Sequence, residues 1–296
     1  MDIQALQAFV AVAEHGSFSR ASESLFLTQP AVSKRIAQLE SDLDTRLFDR
    51  IGRHVNLTEA GRALLPRARS ILLALEEARR ALHDLSGQVA GPLKLATSHH
   101  IGLHRLPPVL RAFTARWPEV DLDLQFMDSE QACQEVRRGE RELGIVTLPL
   151  SPPAELESRE IWPDPLCFVV GPEHPLADAS CVAPAELCRH PAVLPARGTY
   201  TREVIEAAFR PADLTIPVRL ETNYLETIKM MVSVGLGWSV LPRSMLGDEL
   251  RALRVDGIRL ERRLGVVWHG RRTLSNAAKA MLTALADVAG PGCHSA

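Results

Sequence analysis

Residues 27–40, with the sequence LTQPAVSKRIAQLE, combine small, hydroxyl, amide and cationic side chains at helical spacing. Apolar residues recur at i, i+4, i+7 and i+11 and predict one buried stripe, formed by Val32, Ile36, Leu39 and Leu43. The opposite face has no bulky side chain; it comprises Pro30, Ser33, Lys34, Ala37 and Ser41, flanked by Gln29, Arg35 and Gln38. Such a face fits the DNA major groove, where amides and hydroxyls reach base edges and cations reach bases or phosphates. The alternative is the solvated face of a three-helix bundle, since polar exposed faces are common.

Two helices are predicted before this stretch. The first ends at Gly16, and its apolar residues lie at helical spacing: Ile3, Leu6, Val10 and Ala13, with Phe9 beside them. Ser17 or Ser19 can cap a short second helix, whose apolar face is formed by Phe18, Ala21 and Leu25. Thr28 is a suitable N-cap for the third helix and places Pro30 in its first turn, where a missing N–H has no cost. Together these helices predict a helix-turn-helix.

Residues 48–58, FDRIGRHVNLT, break the helical period and predict two short strands around Gly52. Arg50, Arg53 and His54 lie near the tip of this hairpin. A basic hairpin beside a helix-turn-helix is a wing, suited to phosphates or to the narrow minor groove. The combination of basic wing and cationic helix face favours DNA binding over a plain helical bundle.

A long helix is predicted after the wing, with Thr58 as its cap. Its apolar positions follow a heptad pattern, here called the heptad seam: Leu64, Ala68, Ile71, Leu75, Ala78, Leu82 and Leu85. A seam this narrow favours pairing with the same helix of a second chain, as a coiled-coil linker. The alternative is a long helix packed on its own domain.

The chain changes character after a break at residues 86–94, SGQVAGPLK, which is the predicted domain boundary. Strands are predicted at LKLAT, VDLDLQF, LGIVTL, LCFVVG, AVLP, GWSVLP and LGVVWHG, and helices at residues 101–116, 200–209, 224–234 and 275–288. Strands that alternate with helices indicate α/β layers with mainly parallel sheets.

Polar segments stand where these strands end or helices begin: TSHH at 97–100, RGTYTR at 197–202 and TNYLET at 222–227. In open α/β sheets, ligands bind beyond the carboxyl ends of strands, where helix N-termini offer free N–H groups. Hydroxyls, amides and histidines at these places suit a carboxylate or another small anion. The alternative is plain N-capping, which each segment satisfies alone.

The histidines of the first segment raise the question of a metal. His100 and His104 are at i and i+4 on a predicted helix, with His99 adjacent, a spacing that suits zinc or nickel. No HExxH motif and no suitably spaced cysteine accompany them, so a capping or ligand-facing role is favoured. We therefore expect no metal and no other cofactor.

Composition narrows the classes of protein further. The 296 residues carry a net charge of −2, so positive charge for DNA must be local. No apolar run reaches the roughly 20 residues that span a bilayer, and the N-terminus has an acid where a secretion signal has a basic start. Five scattered cysteines form no CxxC, which argues against a disulfide framework. The sequence contains no P-loop, GxSxG or GxGxxG motif, which would have indicated an enzyme.

At residues 17–61 the chain resembles the DNA-binding signature of LysR-type transcriptional regulators, with helix, wing and linker helix in that family's order and lengths. The resemblance implies DNA contacts from Thr28, Gln29, Pro30, Ser33, Lys34, Arg35, Arg50 and Arg53. Asp44 stands where the family usually has glycine. Aspartate tolerates a left-handed helix end better than most residues, so we expect that turn to survive.

A weaker resemblance covers RLPPVLRAFTARWPEVDLDL, EHPLAD and VSVGLGWSVLP, which are similar to the LysR-type effector domain. It implies the two-lobed fold of periplasmic solute-binding proteins, with lobes at about 92–161 plus 267–290 and at 162–266. It also implies a cleft lined by Ser98, His99, His100, Ser129, Thr147, Thr199, Tyr200, Thr201 and Asn223. The histidine pair departs from the commoner Ser/Thr-rich version, which puts the family's usual aromatic or acidic effectors in doubt. ATSHHIGLHRLPP and TNYLETIKMMVS resemble members encoded beside leucine-biosynthesis genes, which implies a branched-chain intermediate as effector.

These features predict a winged helix-turn-helix at 1–58, a linker and dimerisation helix with a hinge at 59–90, and a two-lobed α/β effector domain at 91–296. The expected protein is a cytoplasmic, non-enzymatic transcriptional regulator, controlled by a small anionic metabolite. Its expected partners are double-stranded promoter DNA, the effector, further copies in a homodimer or homotetramer, and RNA polymerase. The alternative is a cytosolic metabolite-binding or carrier protein whose helical N-terminus only dimerises. A second alternative is an α/β enzyme with a helical arm. It is disfavoured because the sequence has no nucleophile or cofactor motif.

Overall fold

The computed structural model describes residues 1–51, 54–84 and 87–288. The chain forms two compact units, Met1–Ser86 and Gly87–Ala296. In the first unit the elements are α1 (Ile3–His15), α2 (Phe18–Ser24), α3 (Gln29–Asp42), β1 (Phe48–Ile51), β2 (His54–Leu57) and α4 (Glu59–Asp84). Among the described helices, none combines the length and the apolar character that crossing a membrane requires.

Side-chain caps begin the first three helices. Asp2, Ser17 and Thr28 each accept a hydrogen bond from a backbone N–H of the first turn. Gly16 ends α1 in the left-handed conformation, which has no steric cost for glycine. The predicted cap at Thr28 and the predicted end at Gly16 are therefore confirmed.

The core of the first unit lies where the predicted apolar faces meet. Val32 and Leu39 of α3 are fully buried. The Phe9 ring contacts that of Phe48 on the wing, with ring centroids 5.3 Å apart. Leu43 was predicted to extend the buried stripe; this was wrong, because α3 ends at Asp42 and Leu43 is 37% exposed.

Two turns of this unit place larger side chains in the left-handed region. Asp44 adopts φ = 47° just after α3, so the turn expected in place of the family's glycine is present. Phe26 adopts φ = 55° between α2 and α3, and its side chain is 96% exposed. Aromatic residues rarely adopt this conformation, so Phe26 is a locally strained residue at the turn that precedes α3.

The heptad seam divides into two parts along α4. Ala68 is fully buried, and Leu64 packs against the core of the first unit. Assigning Ala68 to contact with a second chain was therefore wrong, because its own unit already covers it. Farther along, Ile71 and Leu82 are 42% and 72% exposed. Leu85 lies outside the described residues.

The second unit alternates strands and helices. Its strands are β3 (Gly91–Thr97), β4 (Val120–Phe126), β5 (Leu143–Thr147), β6 (Leu156–Val170), β7 (Ala192–Leu194), β8 (Val218–Glu221), β9 (Ser239–Pro242), β10 (Arg251–Leu253) and β11 (Leu260–His269). Its helices are α5 (His99–His104), α6 (Leu106–Arg116), α7 (Ser129–Arg138), α8 (Pro184–Leu187), α9 (Tyr200–Phe209), α10 (Leu225–Ser233) and α11 (Asn276–Val288). The predicted helix at 101–116 is two helices, because the chain turns at Arg105.

The large sheet of this unit is mixed. Its strand order is β10-β6-β11-β5-β3-β4, with β9 also paired to β6. Strand β3 pairs in parallel with β4 and β5, whereas the pairs made by β6 and β11 are antiparallel. The prediction of mainly parallel sheets was wrong here, because β6 and β11 are long neighbouring strands that run in opposite directions.

Two apolar cores give this unit its lobes. One core contains Leu95 of β3 and Ile145 of β5. The other contains Ile205 of α9 and Val240 of β9. Strand β6 contributes to both, through Trp162 to the first and through Phe168 to the second, and β11 does the same through Leu264 and Leu260. These two strands therefore connect the lobes.

Candidate functional site

The N-terminal half of α3 is the first candidate surface. Thr28, Gln29, Pro30 and Lys34 are exposed there, while Ser33 and Arg35 are half-buried. Residues 28–39 contain two cations and no acid. This part of the helix is therefore locally positive although the chain as a whole is slightly acidic.

Hydrogen bonds position three of the predicted DNA contacts on α3. The Gln29 Nε2 amide donates to Ser33 Oγ at 2.9 Å, and Arg35 Nη2 donates to Gln4 Oε1 at 2.9 Å. The Ser33 hydroxyl therefore already has a hydrogen-bond partner on its own helix. The pair presents a hydroxyl and an amide side by side, which is a suitable combination for a base edge.

The wing is tied to α3 through Glu40. One carboxylate oxygen of Glu40 accepts hydrogen bonds from the backbone N–H groups of Leu47, at 2.7 Å, and Phe48, at 3.3 Å. Strands β1 and β2 then pair antiparallel, with Arg50 opposite Val55. Arg53 and the side chain of Arg50 lie outside the described residues, so their contacts with DNA stay predictions.

The second candidate site is a cavity of about 50 Å³ in the second unit, here called the cleft. Its lining residues are Ser98, His99, His100, Asp128, Ser129, Glu130, Thr147, Pro195, Thr199, Thr201, Asn223, Leu225 and Arg262. The polar segments that follow β3 and β7 and precede α10 thus meet at one place. Eight of the nine residues predicted from the resemblance lie in this lining; Tyr200 does not.

Tyr200 was predicted to line the cleft, and the structure corrects this. Its side chain packs against the apolar cluster that includes Cys133. What Tyr200 offers on the cleft side is its backbone N–H, which donates to Glu130 Oε1. The Tyr200 phenol therefore lies in an apolar cluster and not in the cleft lining.

Arg262 is the cleft residue that sequence reasoning missed. It is buried near the start of β11, where its Nε donates to Asp164 Oδ2 at 2.6 Å and its Nη1 donates to Thr201 Oγ1 at 3.0 Å. Asp164 is only 1% exposed and also faces Arg105, with 3.6 Å between the nearest atoms. In the sequence, LERRLG looks like the charged end of an edge strand, so no local signal marked Arg262 as buried.

Several buried polar atoms of the cleft have no hydrogen-bond partner among the described residues: Ser98 Oγ, both ring nitrogens of His100, and Arg262 Nη2. Buried polar groups are nearly always paired, so atoms left without partners in one cavity indicate a bound molecule or water. A hydroxyl, an imidazole and a guanidinium can all donate hydrogen bonds. Together they suit an acceptor such as a carboxylate.

Two pKa shifts set the charge of the cleft. Burial, together with the neighbouring Arg262, lowers the pKa of His100 to about 3, so its imidazole is neutral at pH 7. Burial raises the pKa of Glu130, against the hydrogen bond from Tyr200, which lowers it. Both shifts disfavour the charged form of the side chain, whereas Arg262 is a buried cation of the lining that is paired with Asp164.

The family of the chain follows from its sequence. Residues 3–62 match the model of the bacterial regulatory helix-turn-helix protein of the lysR family, and residues 86–290 match that of the LysR substrate binding domain. The chain belongs to the LysR family. It is a LysR-type transcriptional regulator with a DNA-binding unit followed by an effector-binding unit.

Two curated relatives support this assignment. The HTH-type transcriptional activator CmpR of Synechocystis sp. is 31% identical over 281 residues, which cover 93% of this chain and 92% of CmpR. An HTH-type transcriptional regulator in the ibpB-leuC intergenic region of Azotobacter vinelandii is 71% identical over 108 residues, 36% of this chain and 75% of that protein.

A solved structure shares the fold of this LysR-type regulator. Full-length CbnR in complex with its target DNA has a TM-score of 0.66 and 22% sequence identity. The match covers 97% of this chain and 100% of CbnR. A winged helix-turn-helix followed along the chain by a two-lobed effector unit is therefore a fold that occurs in a DNA-bound regulator.

Proposed function

We propose that this LysR-type regulator reads an operator through α3 and its wing, and that a small anionic metabolite in the cleft changes how it holds that DNA. The observation that supports the effector is the set of unpartnered donors of Ser98, His100 and Arg262 in one cavity. The contacts of individual side chains with DNA and effector are part of the proposal.

The chemistry of the cleft favours a compact carboxylate. Arg262 supplies a buried positive charge, and an ionised acceptor forms stronger hydrogen bonds with it than a neutral one. A volume of about 50 Å³ is several times what one water molecule needs, yet small for a drug-sized ligand. A small aliphatic acid fits these limits better than a large aromatic one.

Branched-chain amino-acid metabolism is the source that we propose for this acid. The supporting observation is the relative from Azotobacter vinelandii, which its name places beside leuC. Leu225 and Pro195 give the cleft an apolar part, where a branched aliphatic group can pack while its carboxylate meets Arg262.

Control of DNA binding follows from linkage. An effector changes DNA affinity only if it binds two arrangements of the protein with different affinity. We propose that the exposed part of the heptad seam pairs two chains, that dimers pair into tetramers, and that RNA polymerase is a further partner at the promoter. The protein then acts by binding and without catalysis, needs no cofactor for a reaction, and works in the cytoplasm where bacterial DNA lies.

The effector is tested by titrating branched-chain 2-oxo acids and related hydroxy acids into the full-length protein, with tryptophan fluorescence as the readout. All four tryptophans lie in the second unit, at positions 117, 162, 238 and 268. We expect saturable binding of one acid and a loss of affinity of about tenfold in Ser98→Ala, because the hydroxyl donor is removed.

Ser239→Ala is the matched control for that titration. Like Ser98, Ser239 has a buried hydroxyl without a hydrogen-bond partner among the described residues, but it lies on β9 outside the cleft lining. We expect this variant to bind the acid like the wild type. Equal losses in the two variants, or no saturable binding of any acid, would contradict the proposed effector.

A further inference from the structure

Three potential metal ligands converge at the edge of the cleft. His100 and His104 lie one turn apart on α5, with ring centroids 4.8 Å apart. Glu226 comes from α10, and its Oε1 lies 2.9 Å from His104 Nε2. One ligand atom from each of the three residues lies within 4.8 Å of the other two. We call these residues the His-His-Glu cluster.

We propose that the His-His-Glu cluster binds a divalent transition-metal ion of the zinc class. Imidazole nitrogen and carboxylate oxygen are the ligands that zinc takes at about 2.0–2.2 Å, and three protein ligands leave a fourth position open. The spacing of His100 and His104 in the sequence indicated only two metal ligands, and no third ligand was evident nearby. Glu226 supplies it from 122 residues farther along the chain.

An independent observation at His100 supports the metal. This side chain is 5% exposed, and neither ring nitrogen has a hydrogen-bond partner among the described residues. A buried imidazole without any partner is unusual, and a metal ion satisfies one nitrogen while the other donates its N–H. Metal binding at one nitrogen and effector binding at the other are therefore compatible.

The cluster needs only a small rearrangement to take up an ion. Zinc places two of its tetrahedral ligands roughly 3.4 Å apart, given bonds of about 2.1 Å. His104 and Glu226 are already closer than this and have side chains that are 48% and 44% exposed, so both can rotate toward His100. The hydrogen bond between them is exchanged for a shared metal ion.

Nearby charges allow a dication at this place. Arg262 and Arg105 act on His100 and oppose an added positive charge. Both arginines face Asp164, at 2.6 and 3.6 Å, so much of their charge is already balanced. Glu226 then adds a negative charge within the cluster itself.

The position of the cluster predicts a structural consequence. Ile101 of α5 belongs to the first core of the effector unit, whereas Leu225 and Ile228 of α10 pack with strands of the other lobe. A metal ion held by both helices bridges the lobes. Zinc binding therefore depends on the distance between the two lobes, independently of which acid is the effector.

Zinc binding to the full-length protein, stripped of metal with a chelator, tests this inference. Zn²⁺ is titrated in competition with a chromophoric chelator, and Co²⁺ serves as a second, spectroscopic probe. We expect one strong site per chain at the cluster. His104→Gln and Glu226→Gln should each weaken it more than about tenfold, since even residues that only support a metal ligand have effects of this size. Zn²⁺ should also raise the unfolding midpoint of the effector unit, and it should do so more in the wild type than in these variants.

His190→Gln and Glu186→Gln are the matched controls, because they alter another His–Glu pair, with 3.9 Å between its nearest atoms, that lies outside the cluster. We expect both to bind Zn²⁺ like the wild type. Two binding results would overturn the proposal outright: no strong site in the wild type, or a site unaffected by His104→Gln and Glu226→Gln. Equal weakening of the site by the control variants would also overturn it. So would an unfolding midpoint that Zn²⁺ raises equally in the wild type, in His104→Gln and in Glu226→Gln.

Discussion

Asp164→Asn should destabilise the effector unit far more than the loss of a surface ion pair. Asp164 is 1% exposed and is the carboxylate that balances the buried guanidinium of Arg262, at 2.6 Å. Asparagine keeps the size and one hydrogen-bond acceptor but removes the charge. Arg262 is then buried with only the Thr201 hydroxyl as its other side-chain partner among the described residues.

The expected magnitude follows from the burial of the pair. Breaking a buried ion pair costs about 3–5 kcal/mol, because it leaves an uncompensated charge in a region of low dielectric. We expect about 3 kcal/mol here, at the lower end, since the amide oxygen still accepts from Arg262. This is a large part of the roughly 5–15 kcal/mol that stabilises a typical domain.

Urea unfolding followed by tryptophan fluorescence measures this change, because the tryptophans all lie in the effector unit. Glu186→Gln is the control: Glu186 pairs with Arg189, whose side chain is 75% exposed, and losing such a pair costs at most about 1 kcal/mol. If the two variants lose equal stability, Arg262 does not depend on Asp164, and the assignment of Arg262 as a held, buried cation is refuted.

Three further predictions concern other parts of the molecule. Phe26→Asn should stabilise the first unit by about 0.5–1 kcal/mol, because asparagine tolerates φ = 55° better and the exposed ring buries nothing. Hydrogen exchange of the backbone amides in α1–α3 should therefore slow, and unchanged exchange would refute this. Leu82→Glu should weaken the dimer in sedimentation velocity, since Leu82 is 72% exposed on α4; an unaffected dimer would argue against pairing through the seam. Burial raises the pKa of Glu130, so the folded unit keeps this proton at pH values where the unfolded chain has released it. Stability should therefore fall as the pH rises above the ordinary pKa of 4.5, and Glu130→Gln should remove that fall in urea titrations between pH 4 and 7; parallel profiles would contradict it.

The N-terminal unit was largely predictable because its signals are local. The Thr28 cap, the Gly16 helix end and the apolar faces of α1–α3 are each encoded within one or two helical turns. Leu43 and Ala68 were assigned wrongly for a shared reason. Periodicity shows which face is apolar, but it does not show where a helix ends or whether the covering surface belongs to the same chain.

The effector unit was predictable only where each strand end carries its own polar signal. The segments after β3 and β7 and before α10 were found in this way. Arg262 and Glu226 were not found, because their roles depend on partners 98 and 122 residues away. The antiparallel pairing of β6 with β11 also depends on distant strands, and the alternation of strands and helices does not encode it.

Fluorescence anisotropy of labelled DNA from upstream of the protein's own gene, against a scrambled duplex, tests the central claim most directly. The wild type and Ser33→Ala are compared at two salt concentrations. We predict that the wild type prefers its own upstream DNA at the higher salt as well, and that Ser33→Ala loses more affinity for this duplex than for the scrambled one. Equal binding of the wild type to both duplexes that disappears at the higher salt would contradict sequence readout by α3.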